Sequence, residues 1–453
     1  MEVKMDLLEG FLKNTIDKNI IIMYIVSLIK SLNPHRREHW IMLSILVYSL
    51  VGVLKYYLPN PVCNALMTLS AFIFIMVVCK HASGFHLKGF TRLSYVVLIL
   101  WSLCLTFHMF FIADIRSTFV EYHGLTTWLL AYCGSSMFLP NLIPFVILAF
   151  PRNYQFDFRY LWRVMWLLCI LYMCYYPFAF WNMTHYSWSM DQVAGTEWGD
   201  KGTYGDFITN STMGIASLAP VVIMVFFKRY LPVKRWKWFL ASYVGSILIT
   251  AFLARRGDLS LSVLYLVLAW VMYALSDKKT SKFKMILMAT IVVGICFVLF
   301  TNMSDSFFST LMERGDEDSR SGVEESFYAD MKSLTDWMFG RGWFGSYYDP
   351  IFKIDRTGIE TGYLTLILRG GLLYLIPYVS ILALTFYNGY FKSRNLFCKS
   401  FAIMCLMQII SLYPFGWPTF NFFHFILWIG VWICNIKKIR QANDNIIIRF
   451  FRI

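Results

Sequence analysis

The sequence predicts an all-α polytopic membrane protein, on three observations. Of its 453 residues, 58% are hydrophobic and only 15% charged, a composition far more apolar than that of soluble domains. Apolar runs recur along nearly the whole chain, each near the roughly 20 residues a helix needs to cross hydrocarbon. Lysines and arginines gather in alternate loops between those runs, the bias that orients membrane helices. One integral membrane domain, 1–453, is the simplest count. The net charge of +14 does not point to nucleic acid, because the cations are scattered through short loops rather than collected on one basic face. All ten cysteines lie in or beside apolar runs without a CxxC pair, which favours buried single thiols over disulfides or zinc.

In chain order, Met1 to Lys18 is polar and mixed in charge, unlike a cleavable signal peptide. Asn19 to Leu32 is short and flanked by charge, as an interfacial helix would be. About twelve transmembrane helices are expected after it, at Trp40–Leu58, Cys63–Cys79, Leu93–Ile112, Leu125–Phe150, Tyr160–Phe180, Ile208–Phe227, Trp238–Leu253, Leu259–Ser276, Met285–Phe300, Gly371–Tyr390, Phe401–Tyr413 and Phe420–Ile436. Gly134, Ser135, Ser136, Pro140 and Pro144 interrupt the fourth, as where a broken helix lines a cavity. Arg36 and Arg37, Lys80, Lys88 and Arg92, Arg152 and Arg159, then the cations at 228–237, 278–284, 392–399 and 437–440 all fall on one side. That side is read as cytoplasmic, with both termini on it.

The opposite side receives one long extracytoplasmic loop, Thr301–Glu360, with twelve acidic residues against six basic. Its stretch Gly322 to Trp337 has mixed helical spacing and suits short helices on the membrane's outer face. The same side also receives the turn holding Arg255 and Arg256, two arginines that violate the orientation trend. A single arginine near a membrane end snorkels. A tandem pair followed by Gly257 suits phosphate instead, because a guanidinium is a rigid fork of donors that matches phosphate oxygens in pairs.

A second cluster runs from Phe339 to Pro350, FGRGWFGSYYDP, and continues as GIETGYLTLILRGGLL, Gly358 to Leu373. Gly340, Gly342 and Gly345 permit close backbone approach to a ligand, with Arg341 in their midst. Glu360 stands at the water boundary, and Tyr363 shares its face if the segment is helical. Arg369, nine residues past Glu360, points away from it on a straight helix at about 100° per residue. It either meets the same substrate through a bend at Gly370 and Gly371 or pairs with an acid.

FLARRGDLSLS, then GRGWFGS, then ETGYLTLILRGGLL, with a long outer loop between the first and second, resemble the Wzy-type polysaccharide polymerase and O-antigen ligase superfamily over roughly Trp238 to Leu373. The resemblance implies a GT-C-like glycosyltransferase of the bacterial inner membrane that joins undecaprenyl-pyrophosphate-linked oligosaccharides without a metal or other cofactor. A chain-length regulator is a candidate partner. The family's Ser-Arg-Gly falls on Arg255-Arg256-Gly257, which places the key arginine on Arg256 although the serine is absent. The Gly-x-Gly turn falls on Gly340-Arg341-Gly342, and the His-Asn or Asp-Asn pair on Glu360-Thr361. The catalytic expectation is therefore Arg256 on the departing pyrophosphate and Glu360 on the acceptor hydroxyl. Arg255, Arg341, Tyr363 and Arg369 are the expected substrate-binding residues.

Asp316 and Asp318 have the alternate spacing divalent cations use. Three acids beside Gly315 and Ser319 read instead as an exposed turn, so no metal is expected. Two other functions stay open. An O-antigen ligase would use the same donor and arginines, with glutamate in place of a histidine favouring the polymerase. A lipid flippase or transporter would have as many spans, yet charged groups near mid-membrane are few.

Overall fold

The computed structural model describes residues 26, 28, 30–54, 60–82, 87–111, 139–150, 156–173, 236–252, 256–276, 321–350, 353–413 and 418–451. The chain is mostly helical. Helices α1 (Arg37–Leu54), α2 (Asn60–His81) and α3 (Gly89–Phe111) come first. A 3₁₀ turn at Leu139–Phe145 then leads into a single turn, α4 (Val146–Ala149), and α5 is Phe158–Met173. Helices α6 (Trp236–Phe252) and α7 (Arg256–Ser276) form a pair. Residues 321–350 and 353–356 of the long hydrophilic loop fold as α8 (Ser321–Asp330), α9 (Leu334–Phe339) and the antiparallel strands β1 (Tyr347–Asp349) and β2 (Ile354–Arg356), in which Tyr347 pairs with Arg356. The chain closes with α10 (Gly362–Tyr390), α11 (Leu396–Ser411), α12 (Phe422–Asn435), α13 (Lys437–Gln441) and α14 (Asp444–Phe451).

Among the described residues, three helices are long and apolar enough to cross a membrane, at Pro61–His81, Gly89–Phe111 and Gly362–Tyr390. Shorter apolar helices occupy Leu259–Ala269, Leu396–Ser411 and Phe422–Asn435. The expected spans Ile208–Phe227 and Met285–Phe300 and most of Leu125–Phe150 lie outside the described residues, as do Gly134, Ser135 and Ser136. The part of the fourth span that is described is a 3₁₀ turn with Pro144 inside it followed by the single turn α4, rather than one regular helix. A proline lacks the N–H an α-helix requires there.

The faces of α3 show why these helices suit lipid. Phe90, Leu93, Leu100, Leu103, Phe107 and Phe111 are exposed along one stripe. Ser94, Tyr95, Leu98, Ser102, Leu105 and Met109 are buried on the other. A water-soluble helix does the reverse, whereas membrane helices turn small polar residues inward so that backbones approach closely. The Ser102 hydroxyl donates to the Leu98 carbonyl at 2.7 Å and Thr106 to Ser102 at 2.7 Å, so neither burial leaves an unmet donor.

The central core is α10 against α3, α11 and α12. A second cluster joins Phe327, Met331, Tyr347 and Ile359 of the outer loop to Leu364, Ile367 and Leu368 of α10. The two ends of the bundle are held separately. At one end the Arg394 N–H donates to the Arg440 carbonyl at 2.8 Å, and buried Asn395 donates to the carbonyls of Ile439 and Ala442 at 2.8 and 3.0 Å. At the other, the Tyr363 N–H donates to the Leu412 carbonyl at 3.1 Å.

Candidate functional site

Helix α10 is two helices joined at a break. Gly371 has φ 64° and ψ −169° inside an otherwise helical run, a conformation available in practice to glycine alone. The bend expected at Gly370 and Gly371 is therefore present. It lies after Arg369, however, so it does not turn Arg369 towards Glu360. The break leaves three successive carbonyls to be met from outside the helix. The Arg341 N–H donates to the Leu368 carbonyl at 2.7 Å, the Gly342 N–H to Arg369 at 3.0 Å, and the Trp101 indole N–H to Gly370 at 2.7 Å. Within a bilayer such partners must come from protein.

The glycine-rich turn supplies two of those donors, and its glycines make the approach possible. Gly340 has φ 72° and ψ −174°, the mirror-extended region that Gly371 also occupies. A side chain on Gly340 would meet the Gly371 nitrogen at 2.6 Å and the Arg369 carbonyl carbon at 2.7 Å. One on Gly371 would strike the Met338 carbonyl. Gly342, at φ 88°, lies against His108. The neighbour these glycines admit is thus the chain's own helix, where the sequence suggested a ligand. Trp343 is buried behind them, donating to Thr106 at 3.2 Å and standing edge-on to Tyr374 at 5.5 Å.

Arg341 is engaged at both terminal nitrogens. Nη1 donates to the Asp330 carboxylate and to the Ser346 carbonyl at 2.8 Å, while Nη2 donates to Asp336 at 2.9 Å and to the Asp330 carbonyl at 3.1 Å. Burial would lower its basicity, but the hydrogen bonds to Asp336 and Asp330 outweigh that and raise its pKa. It is a clamp on the outer loop rather than a fork held open for phosphate. Asp330 and Asp336 were not singled out in the sequence. Their signal was the loop's acid excess, with both acids within eleven positions of Arg341.

Glu360 precedes α10 and is exposed, so the helical face it was expected to share with Tyr363 does not extend to it. The helix starts at Gly362 because Thr361 takes the cap position, with its hydroxyl donating to the Glu324 carboxylate. Tyr363, half-buried, lies beside Tyr328, Glu324 and Tyr413. Tyr347 is pushed up to about 12 by burial, opposed by Arg356 and reinforced by Asp349 and Glu360. Tyr328 stacks near Trp337 with ring centres 6.1 Å apart. Glu324 and Tyr328 therefore share one patch with Tyr363, whereas Glu360 lies towards Tyr347; Glu324 and Tyr328 are additions the sequence did not mark.

Arg369 is 5% exposed, seven residues into α10 and hence about 10 Å along its axis from the loop end. Tyr374, whose hydroxyl donates to Asn141 at 3.1 Å, lies near it. Arg256 is the first residue of α7, which packs against α11. Arg255, Asp114, Asp316 and Asp318 lie outside the described residues. Among the described residues no group of three or more His, Cys, Asp or Glu gathers as a metal site requires.

Comparison with protein-family models, curated proteins and solved structures returned no match.

Proposed function

We propose that this chain is a membrane glycosyltransferase that polymerises lipid-pyrophosphate-linked oligosaccharides at the loop end of the bundle. The observation that carries the reading is the seating of the Gly340–Gly342 turn on the Gly371 break, beside buried Arg369. It fixes a hydrophilic, acid-rich loop to a span with an internal cation. A glycan in water and its anionic lipid anchor would meet at such a junction. The ordered motifs at Arg255–Gly257, Gly340–Gly342 and Glu360–Thr361 support the same class.

In this mechanism the donor sugar's bond to pyrophosphate breaks as a bond forms from its anomeric carbon to an acceptor hydroxyl. Arg256, with Arg255, takes up the charge that develops on the departing undecaprenyl pyrophosphate. Glu360 receives the hydroxyl proton, and its exposure leaves it reachable by an acceptor. Tyr363 and the Tyr328–Trp337 pair offer aromatic surface to sugar rings. Arg341 acts as a positioning residue, and Arg369 places positive charge beneath the lipid phosphate. The enzyme needs no cofactor in this scheme. Its setting is the bacterial inner membrane with both termini cytoplasmic, and a chain-length regulator is a candidate partner.

A ligase would share the donor half, and Glu360 in place of histidine favours the polymerase. The interrupted helix α10 favours a second class, a flippase, since discontinuous spans are common in transporters. Replacement of Arg256 by alanine in the native host separates these readings. A polymerase defect leaves single repeat units on the surface in place of a ladder, with protein level unchanged. A normal ladder removes the assignment, and repeat units trapped on the inner side indicate a flippase. Glu360→Gln should reproduce the single-unit phenotype.

A further inference from the structure

At the end of the bundle opposite the outer loop, α1 begins and α2 finishes. The Arg37 guanidinium donates to the His81 carbonyl at 3.4 Å, which brings the two helix ends together. Beside this contact lies an open groove of about 290 Å³ whose lining includes Arg37, Trp40, Phe72, Met76, Lys80 and His81. Among the described residues no acid lines it. Two carboxylates at this end of the bundle are engaged elsewhere. Glu38 bonds Arg36 at 3.4 Å, and Asp157 accepts from His39 at 3.1 Å and lies 3.7 Å from Arg36. Among the described residues no ion pair ties Arg37, Lys80 or His81 to an acid.

The walls continue onto lipid-facing surface. Phe72 is 60% exposed and Met76 52%, on the apolar side of α2. The groove therefore has two chemistries in the right order, cations at the helix ends and apolar wall extending one to two turns into the span. Trp40 stands at the boundary, its indole N–H donating to the Pro34 carbonyl at 3.1 Å, an orientation typical of residues at the level of lipid headgroups. Basic pockets between membrane helices hold anionic headgroups by this combination.

We propose that this groove binds one anionic glycerophospholipid, its phosphate between Arg37 and Lys80 and an acyl chain along Phe72 and Met76. The site is separate from the glycan chemistry and independent of that reading. The lipid would act as a staple across the adjoining ends of α1 and α2, adding to their packing and to the Arg37–His81 hydrogen bond.

The test uses the full-length protein purified in detergent and exchanged into mixed micelles of phosphatidylglycerol or phosphatidylcholine, with bound lipid quantified after washing. Wild type should retain about one phosphatidylglycerol per chain in preference to phosphatidylcholine, and show a raised unfolding temperature. Each cation removed should weaken retention roughly fivefold, so Arg37→Gln with Lys80→Gln lowers it roughly 25-fold. The charge-keeping pair Arg37→Lys with Lys80→Arg should hold the lipid. Lys80 is exposed, so Lys80→Gln alone gives the fivefold effect without risk to folding. Equal retention of phosphatidylcholine, unchanged retention by Lys80→Gln, or displacement by glycerol phosphate as effective as by phosphatidylglycerol would overturn the proposal.

Discussion

Arg341 and Arg37 are both arginines at a bundle end, and their surroundings differ in a way that separates a structural role from a binding one. Arg341 directs its two terminal nitrogens to Asp330, Asp336 and the Ser346 carbonyl, beneath a glycine turn packed backbone to backbone on α10. Arg37 donates to the His81 carbonyl and borders an open groove with Lys80 that no acid lines among the described residues. The motif around Arg341 looked the more suited to a ligand, yet both its terminal nitrogens bond the protein's own acids and carbonyls. An arginine's function is read from where its donors end, and a glycine's from what stands where its side chain would be.

The sharpest way to break this comparison is at the closed end. Gly371→Ala forces a side chain into the Met338 carbonyl at a positive φ. It should cost about 3 kcal/mol or more and reduce the yield of folded protein, as measured by thermal unfolding in detergent. A fully stable variant would mean that the turn can lift from α10, and that Gly340–Gly342 is available to a ligand after all.

A smaller effect is expected from Arg341→Ala, which leaves Asp330 and Asp336 facing one another without their shared cation. Because Arg341 is about a quarter exposed, the loss should be about 2 kcal/mol, below that of a fully buried pair. Arg341→Lys should recover only part of it, since an ammonium lacks the two-nitrogen fork. Limited proteolysis of the 321–350 segment checks both variants. Unchanged protection in Arg341→Ala would return this residue to the list of substrate contacts.

The smallest effect concerns the basic end. The Asp157 carboxylate receives the N–H groups of Arg159 and Tyr160 at 3.1 and 3.0 Å, and His39 Nε2 at 3.1 Å. His39 Nδ1 accepts the Asn33 N–H at 3.0 Å, which leaves Nε2–H as the donor. Burial alone would raise the Asp157 pKa, but the hydrogen bonds from His39 and Tyr160 and the charge of Arg36 outweigh it and hold it at about 2. The folded value is depressed, so the unfolded chain binds the proton first. This contribution, on the order of 1 kcal/mol after screening, is present above about pH 4 and lost as pH falls through 2. Unfolding temperature against pH should be flatter for Asp157→Asn over that window, with no change in phosphatidylglycerol retention. A change in retention would mean that Asp157 shapes the groove and that the two acids at this end are not independent of it.

Much of the helical skeleton was legible from apolar run length alone. The expected Cys63–Cys79, Leu93–Ile112 and Trp238–Leu253 fall inside or within a residue of α2, α3 and α6. The short helices of 322–337 were visible as mixed periodicity. The hairpin at 347–356 was not, since its strands are three residues each and too brief for a period of two to register. Helix α10 begins nine residues before its expected start at Gly371, because the glycine pair that looked like a boundary is an internal break.

The sequence by itself determined that this chain is a bundle of membrane helices. Hydrocarbon offers backbone groups no partner, so a run of apolar residues has little choice but to bond within itself. It also marked Gly340, Arg341, Arg369 and Gly371 as unusual. Only the tertiary structure decided which neighbours meet them. The bond from Trp101 to Gly370 spans 269 positions and that from Trp343 to Thr106 spans 237, so the break in α10 is completed by residues no local pattern connects. A run of residues specifies its own hydrogen bonds within a turn or two, but which distant donor meets an orphaned carbonyl is settled when the elements pack.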